Sequence, residues 1–279
     1  MQMKNQVSIL LITLTIFVNY GQQKNETITQ IKPIENVIQF KQIKTDTLFN
    51  SNQIISLLVL QNNAFNNYNI EFGYHNLELK TTSSLAKEKN AVAAINGGFF
   101  NMDSGGSVTY FEVNDTVVNK TRDPNKKWGI SKSLMNGAII IENNFQITIQ
   151  AAKPEQLYET SKQESGVLIT GPLLLLNSEK LKMPNSKFVT NRHPRTCLCE
   201  TEKSVIFITV DGRQKEAQGM SLFEVQEFLK YIGCKNAINL DGGGSTTMWT
   251  QNKGIVNFPS DKTGERPIAN ALLILNKSN

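Results

Sequence analysis

Short apolar runs broken by polar turns dominate the chain, and this pattern predicts many strands with a few helices between them. Residues 54–60 are one such run, and 68–79 alternate well enough for another strand. Residues 62–69 are rich in Asn and predict a turn. Residues 91–95 make a short buried strand that runs into Asn96-Gly97-Gly98-Phe99-Phe100. One hairpin should pair 108–111 with 116–118, and a second should pair 138–142 with 145–150 around Asn143-Asn144. A Ser/Thr start followed by Leu85, Ala86 and Lys87 predicts a helix over 82–90. Residues 121–135 and 181–192 are polar and read as loops, and the charged stretch 151–166 reads as a surface helix or excursion.

The last third of the chain carries the sharpest local signals. Residues 195–200 and 204–210 read as paired strands, the second ending in Asp211-Gly212-Arg213. Ser221 and Glu224 have capping-box spacing, so each satisfies a free backbone N–H at a helix start. Leu222, Val225, Phe228, Leu229 and Ile232 then follow a helical stripe, and Gly233 stops it. A strand over 237–240 ends in Asp241-Gly242-Gly243-Gly244-Ser245. Strand, helix and strand at this spacing form a βαβ unit with parallel strands. No repeat or linker divides the sequence. The expected fold is therefore α+β, with mixed β-sheets and the βαβ unit in the C-terminal half of a single domain.

The N terminus bears on compartment. Lys4 precedes an apolar run over 7–18, which ends in Asn19-Tyr20-Gly21. This is the shape of a signal peptide over 1–21, cleaved after Gly21, with a polar leader over 22–49 and the domain over 50–279. Export to a periplasm or the medium is expected, with no membrane span left after cleavage. The 279 residues carry a formal net charge of +5, which suits an anionic partner only weakly. The lysines are scattered, and no basic arm points to nucleic acid. The three cysteines, Cys197, Cys199 and Cys234, are an odd number and read best as buried apolar residues. A bridge from Cys234 to one of the other two suits an oxidising compartment.

Candidate chemistry concentrates at the strand ends. Parallel strands bring their C-terminal ends to one sheet edge, where ligands bind. Asp211 and Asp241 each follow such an end, at a separation of roughly 5–10 Å set by strand spacing. Glycoside cleavage uses two carboxyl groups at about that distance. Gly242, Gly243 and Gly244 let backbone approach a ligand closely, and Ser245 and Thr246 add hydroxyls. Successive N–H groups in such a turn suit a phosphate. It is neither a Walker loop nor a dinucleotide fingerprint. Asn96 and Gly97 suit contacts to sugar hydroxyls. Arg195 can clamp a phosphate bidentately, with Thr196 beside it, and His193 can serve as general acid.

The segments INGGFF (95–100), RHPRT (192–196), VDGR (210–213), NLDGGGSTTM (239–248), NFPSD (257–261) and GERPIANALLIL (264–275) resemble, in order, those of the phosphodiester glycosidase family. That resemblance implies an α+β fold with mixed sheets. It also implies hydrolysis of a sugar-1-phosphodiester at the glycosidic C1–O bond, leaving a phosphomonoester. Asn96, Arg195, Thr196, Asp211, Asp241, Gly243 and Ser245 fall at the motif positions. The mechanism expected has Arg195 and the turn amides holding the phosphate and Asn96 orienting the sugar. Asp241 acts as nucleophile or directs water, and Asp211 or His193 handles the proton. The partner is a sugar phosphate or a phosphodiester-linked glycan. A rival reading is a non-catalytic binder of envelope polymers. No metal site and no cofactor is expected from two histidines without a ligand pair, although Asp-rich turns also suit a structural calcium.

Overall fold

The computed structural model describes residues 37–277, so the predicted signal peptide over 1–21 and most of the polar leader lie outside the described residues. Three β-sheets and four short helices make up the described part. The largest sheet has seven strands, in the order Ile38–Thr45, Gln53–Gln61, Ser204–Val210, Arg195–Glu200, Asn236–Asn239, Leu173–Leu176 and Glu179–Lys180. A five-stranded sheet runs Gly254–Ile255, Met248–Thr250, Ala93–Asn96, Asn270–Asn276 and Tyr68–Tyr74. A second five-stranded sheet runs Thr116–Asn119, Phe111–Val113, Glu164–Thr170, Gly137–Glu142 and Ile147–Ala151. This is an α+β fold.

The globular part begins earlier than residue 50. Ile38–Thr45 pairs along its length with Gln53–Gln61, and Ile38 and Phe40 are buried. Its alternation of apolar with Gln and Lys residues suits an edge strand with one wet face, so the leader boundary at 49 is corrected. The stretch 151–166 also divides: a short helix, Glu155–Thr160, precedes the central strand Glu164–Thr170.

Both faces of the seven-stranded sheet are covered, which explains its near-continuous apolar strands. Leu58, Leu60, Leu198, Phe207 and Ile238 face the core shared with the two smaller sheets. Their alternate neighbours Leu57, Val59, Cys197, Cys199, Ile206 and Ile208 pack against the helix Leu222–Tyr231. That helix starts as its sequence requires. Ser221 Oγ accepts the Glu224 N–H at 3.2 Å, and Glu224 Oε2 accepts the Ser221 N–H at 2.8 Å. Gly233 follows at φ +85°, a left-handed stop. Burying Leu222, Val225, Phe228 and Leu229 contributes roughly 1.5–3 kcal/mol per side chain.

The strands flanking this helix, Ser204–Val210 and Asn236–Asn239, are not neighbours. Arg195–Glu200 lies between them and is antiparallel to both, so the flanking pair run in the same direction. Every hydrogen-bonded strand pair among the described residues is antiparallel. Cys199 and Cys234 form a disulfide that ties the middle strand to the segment after the helix, while Cys197 is free and buried.

Candidate active site around the glycine turn

The two Asp-Gly turns leave the sheet at one edge, on either side of the start of Arg195–Glu200. Val210 pairs with Arg195, and Leu240 donates its N–H to Thr196 O at 2.8 Å. Gly212 and Gly242 both press on Pro194: a Cβ would lie 2.8 Å from its N at Gly212 and 2.7 Å from its O at Gly242. Two strand spacings put the axes that carry Asp211 and Asp241 about 10 Å apart.

Asp241 is the less enclosed residue of the two. It is partly exposed, and its Oδ1 accepts the Gly242 N–H at 3.0 Å. Burial pushes its carboxyl up to about 6, with the Ser245 hydroxyl and the Arg266 charge pulling the other way. Asp211 stands differently. It is 1% exposed, and its Oδ1 accepts the Asn257 side-chain amide at 3.0 Å and the Phe258 N–H at 3.1 Å. Burial pushes it up to about 6 against those two donors. The reading that both carboxylates face one open cleft is therefore corrected. Asp211 is a buried anchor for the segment 257–258, because its strand end points beneath that segment.

Four further expectations also give way to structural roles. Asn96 is fully buried; its Nδ2 donates to Asp241 O at 2.6 Å, and its Oδ1 accepts from Thr196 Oγ1 at 2.8 Å and Thr247 N at 3.1 Å. It fixes the glycine turn and leaves no capacity for a sugar. Thr196 is spent on Asn96. Gly97 is needed because a Cβ there would lie 2.0 Å from Asn270 Oδ1. Arg195 is 1% exposed and donates to the main-chain oxygens of Met220, Phe188 and Asn191, each at 2.8 Å. Its guanidinium stacks on Phe188, and burial lowers its pKa to about 10. It ties the 188–191 and 220 segments to the sheet edge instead of clamping a ligand.

Most of the amide cradle is occupied as well, Gly244 being the turn residue whose N–H meets no acceptor. The N–H groups of Asp241, Gly243 and Thr247 bond Gly97 O, Pro194 O and Asn96 Oδ1. Those of Ser245 and Thr246 bond Gly242 O and Gly243 O. What remains at the turn besides that N–H is side-chain chemistry. The hydroxyls of Thr246 and Thr247, His193 Nδ1, Asp211 Oδ2, Asn239 Oδ1 and Asn270 Nδ2 are buried with no hydrogen-bond partner in the protein. Buried polar groups are normally paired, so the adjacent hydroxyls of Thr246 and Thr247 are polar capacity that the fold itself does not use. His193 is partly buried; burial, Arg195 and Arg213 all lower its pKa, so the ring is neutral at neutral pH. A ring held neutral does not carry the proton that the general-acid role expected of His193 needs.

The cation that does face solvent is Arg213. Its φ of +63° swings the side chain out of the strand direction, and its guanidinium lies against the turn, 3.0 Å from where a Gly243 Cβ would stand. Its Nη1 reaches Ser260 Oγ at 3.5 Å. Asn257 clamps the turn from the far side, donating to Thr246 O at 3.1 Å and accepting the Met248 N–H at 2.7 Å. Arg266 and Asp261 form a bidentate pair at 2.8 and 3.0 Å, directly against Gly244. The residues missed from sequence are thus Arg213, Asn257, Asp261, Arg266 and Asn270. All lie inside the segments VDGR, NFPSD and GERPIAN, where only the aspartate of VDGR was given a role. A groove lined by Phe72, Val113 and Ile141 lies at the opposite end of the second five-stranded sheet from Thr170 and takes no part in this cluster. No group of three or more metal-ligating side chains occurs among the described residues.

A family model for phosphodiester glycosidases matches residues 89–275, which span every element of this site. The chain belongs to the phosphodiester glycosidase family. Among curated members, the human N-acetylglucosamine-1-phosphodiester alpha-N-acetylglucosaminidase is 29% identical over 195 residues, covering 65% of this chain and 36% of that protein. The Bacillus subtilis SPbeta prophage protein YomE is 28% identical over 208 residues, covering 73% of this chain and 30% of that protein. The chain therefore spans about a third of the length of these curated relatives. The zebrafish glycosidase catalytic domain shares the fold, with a TM-score of 0.64 at 21% identity over 90% of this chain and 88% of that one.

Proposed function

We propose that this phosphodiester glycosidase-family chain hydrolyses a sugar-1-phosphodiester at the glycosidic C1–O bond. The products are a free sugar and a phosphomonoester. The observation that carries this reading is a partly exposed aspartate, Asp241, at the start of a turn against which an exposed guanidinium, Arg213, lies, and on which the Thr246 and Thr247 hydroxyls have no partner.

The chemistry follows from those positions. Arg213 binds the phosphate and holds it over Gly243. Asp241, with its carboxyl raised to about 6, is a better base than an ordinary aspartate yet ionised at neutral pH. It takes a proton from a water molecule whose oxygen attacks C1. The C1–O bond breaks, and its electron pair leaves on the phosphate oxygen. A phosphomonoester is a stable anion, so a single carboxylate suffices without a strong acid opposite. N-acetylglucosamine is the sugar favoured, since the human relative is named for it.

Export to a periplasm or the medium belongs to the same proposal. The Cys199–Cys234 disulfide supports it, because such bridges persist in oxidising compartments. No helix among the described residues is long and apolar enough to cross a membrane.

Hydrolysis of an N-acetylglucosamine-1-phosphodiester in oxygen-18 water tests the reading. Label should enter the free sugar and not the phosphomonoester, and Asp241→Asn should abolish release while the protein stays folded. Label in the phosphate would place cleavage at P–O. Tight binding without release would leave the polymer-binding alternative standing.

A further inference from the structure

Phe258 is half exposed, at 50%, although both of its main-chain polar groups are tied down. Its N–H is held by Asp211, and its carbonyl accepts from Gln214 Nε2 at 3.4 Å. Asn257, one residue before it, is buried and bonded to Asp211, Thr246 and Met248. Ser260, two residues after it, meets Arg213. The ring is thus presented to solvent by rigid backbone on the rim of the glycine turn. Single exposed apolar residues are ordinary on protein surfaces. One fastened by a buried carboxylate beside an exposed guanidinium is not placed by chance packing.

Position across the sheet edge gives the ring its partner. Asp211 and Phe258 lie on one side of Pro194, Arg213 lies over Gly243, and Asp241 lies on the other side. A substrate with C1 at Asp241 and phosphate at Arg213 directs its leaving group toward Phe258. We propose that Phe258 and Arg213 form the leaving-group subsite of this enzyme. The guanidinium takes the phosphate, and the ring takes an apolar or flat face of the group esterified to it, such as a sugar ring or an aryl group. Phe258 is a specificity-determining residue under this proposal, which rests on the hydrolytic reading for the direction of the substrate.

The test compares methyl and phenyl phosphodiesters of the same sugar. The wild-type enzyme should favour the phenyl ester in kcat/KM, chiefly through KM. Phe258→Ala should reduce that preference about fivefold to tenfold, the size of one aromatic contact, and Phe258→Trp should retain it. A preference ratio the same in wild type and Phe258→Ala overturns the proposal; a general folding defect would lower both rates and leave the ratio alone. Calorimetric binding of phenyl phosphate and methyl phosphate gives an independent reading without turnover. Equal affinities in the wild type overturn the subsite. A Phe258-dependent difference in protein that releases no sugar upholds the subsite and removes the hydrolytic reading.

Discussion

Asp211 Oδ1 accepts the side-chain amide of Asn257 at 3.0 Å, so a carboxylate at a central strand end holds the residue that clamps the glycine turn. Asn257 Oδ1 in turn accepts the buried Met248 N–H. Asn257→Ala leaves the Met248 N–H unpaired and takes from Asp211 one of its two donors. Each unpaired buried polar group costs roughly 1–3 kcal/mol. The variant should unfold at clearly lower urea than the wild type and release sugar more slowly. A wild-type unfolding midpoint would show that the clamp is dispensable.

Glycines near the turn differ in what surrounds them. A Cβ at Gly244 would lie 2.1 Å from Arg266 Nη2 and 2.2 Å from Asp261 Oδ1, whereas Gly254, at φ +72°, has no neighbour within 4 Å. Gly244→Ala must break or displace the ion pair. Gly254→Ala meets only the backbone cost of a left-handed conformation, about 1 kcal/mol. Thermal unfolding of the two variants should rank Gly244→Ala far below Gly254→Ala. The reverse order would contradict the packing of Arg266 against the turn.

Acidity should act on rate and on stability in opposite directions. Asp241 must be ionised to take a proton, so turnover should rise with pH through about 6 and then level. Asp211 is raised from its ordinary 3.8 to about 6, so the folded protein keeps a proton there that the unfolded chain has lost. Its contribution to stability is fully present below about 3.8 and is lost as pH rises through about 6. Unfolding free energies measured between pH 4 and 7 should show this decline, and Asp211→Asn should make it shallower, the rest belonging to Asp241, which burial raises equally. An unchanged slope in the variant would assign the effect elsewhere.

Reduction should cost stability without exposing a reactive thiol at Cys197. The Cys199–Cys234 bridge spans 35 residues, for which the chain-entropy cost of loss is about 3–4 kcal/mol. Burial pushes the Cys197 thiol up to about 12, so it stays protonated. Cys234→Ser should lower the urea midpoint. Thiol counting with a native-state reagent on the oxidised protein should find no modification, and labelling of Cys197 would show that the strand opens.

Features that depend on near neighbours were legible in advance. The capping box of Ser221 and Glu224, the stop at Gly233 and the Asp-Gly turns after two strands are set within a few residues. Each strand-and-turn motif of the family also fell where the site lies. Other elements were hidden because their apolar positions are diluted. Ile38–Thr45 alternates with Gln and Lys as an edge strand, and Glu164–Thr170 begins with charged and small residues before its buried half.

The roles of individual site residues were a different matter. Sequence alone marked a conjunction of aspartates, glycines and arginines at strand ends, and with it the family. It could not say that Arg195 is enclosed by the carbonyls of Phe188, Asn191 and Met220 while Arg213 lies open over Gly243. Nor could it separate a fully buried Asp211 from a partly exposed Asp241. Those distinctions come from long-range pairing, which decides the partners each side chain meets and how much water it loses. Identical residue types at similar turns therefore acquired opposite roles only when the sheets closed around them.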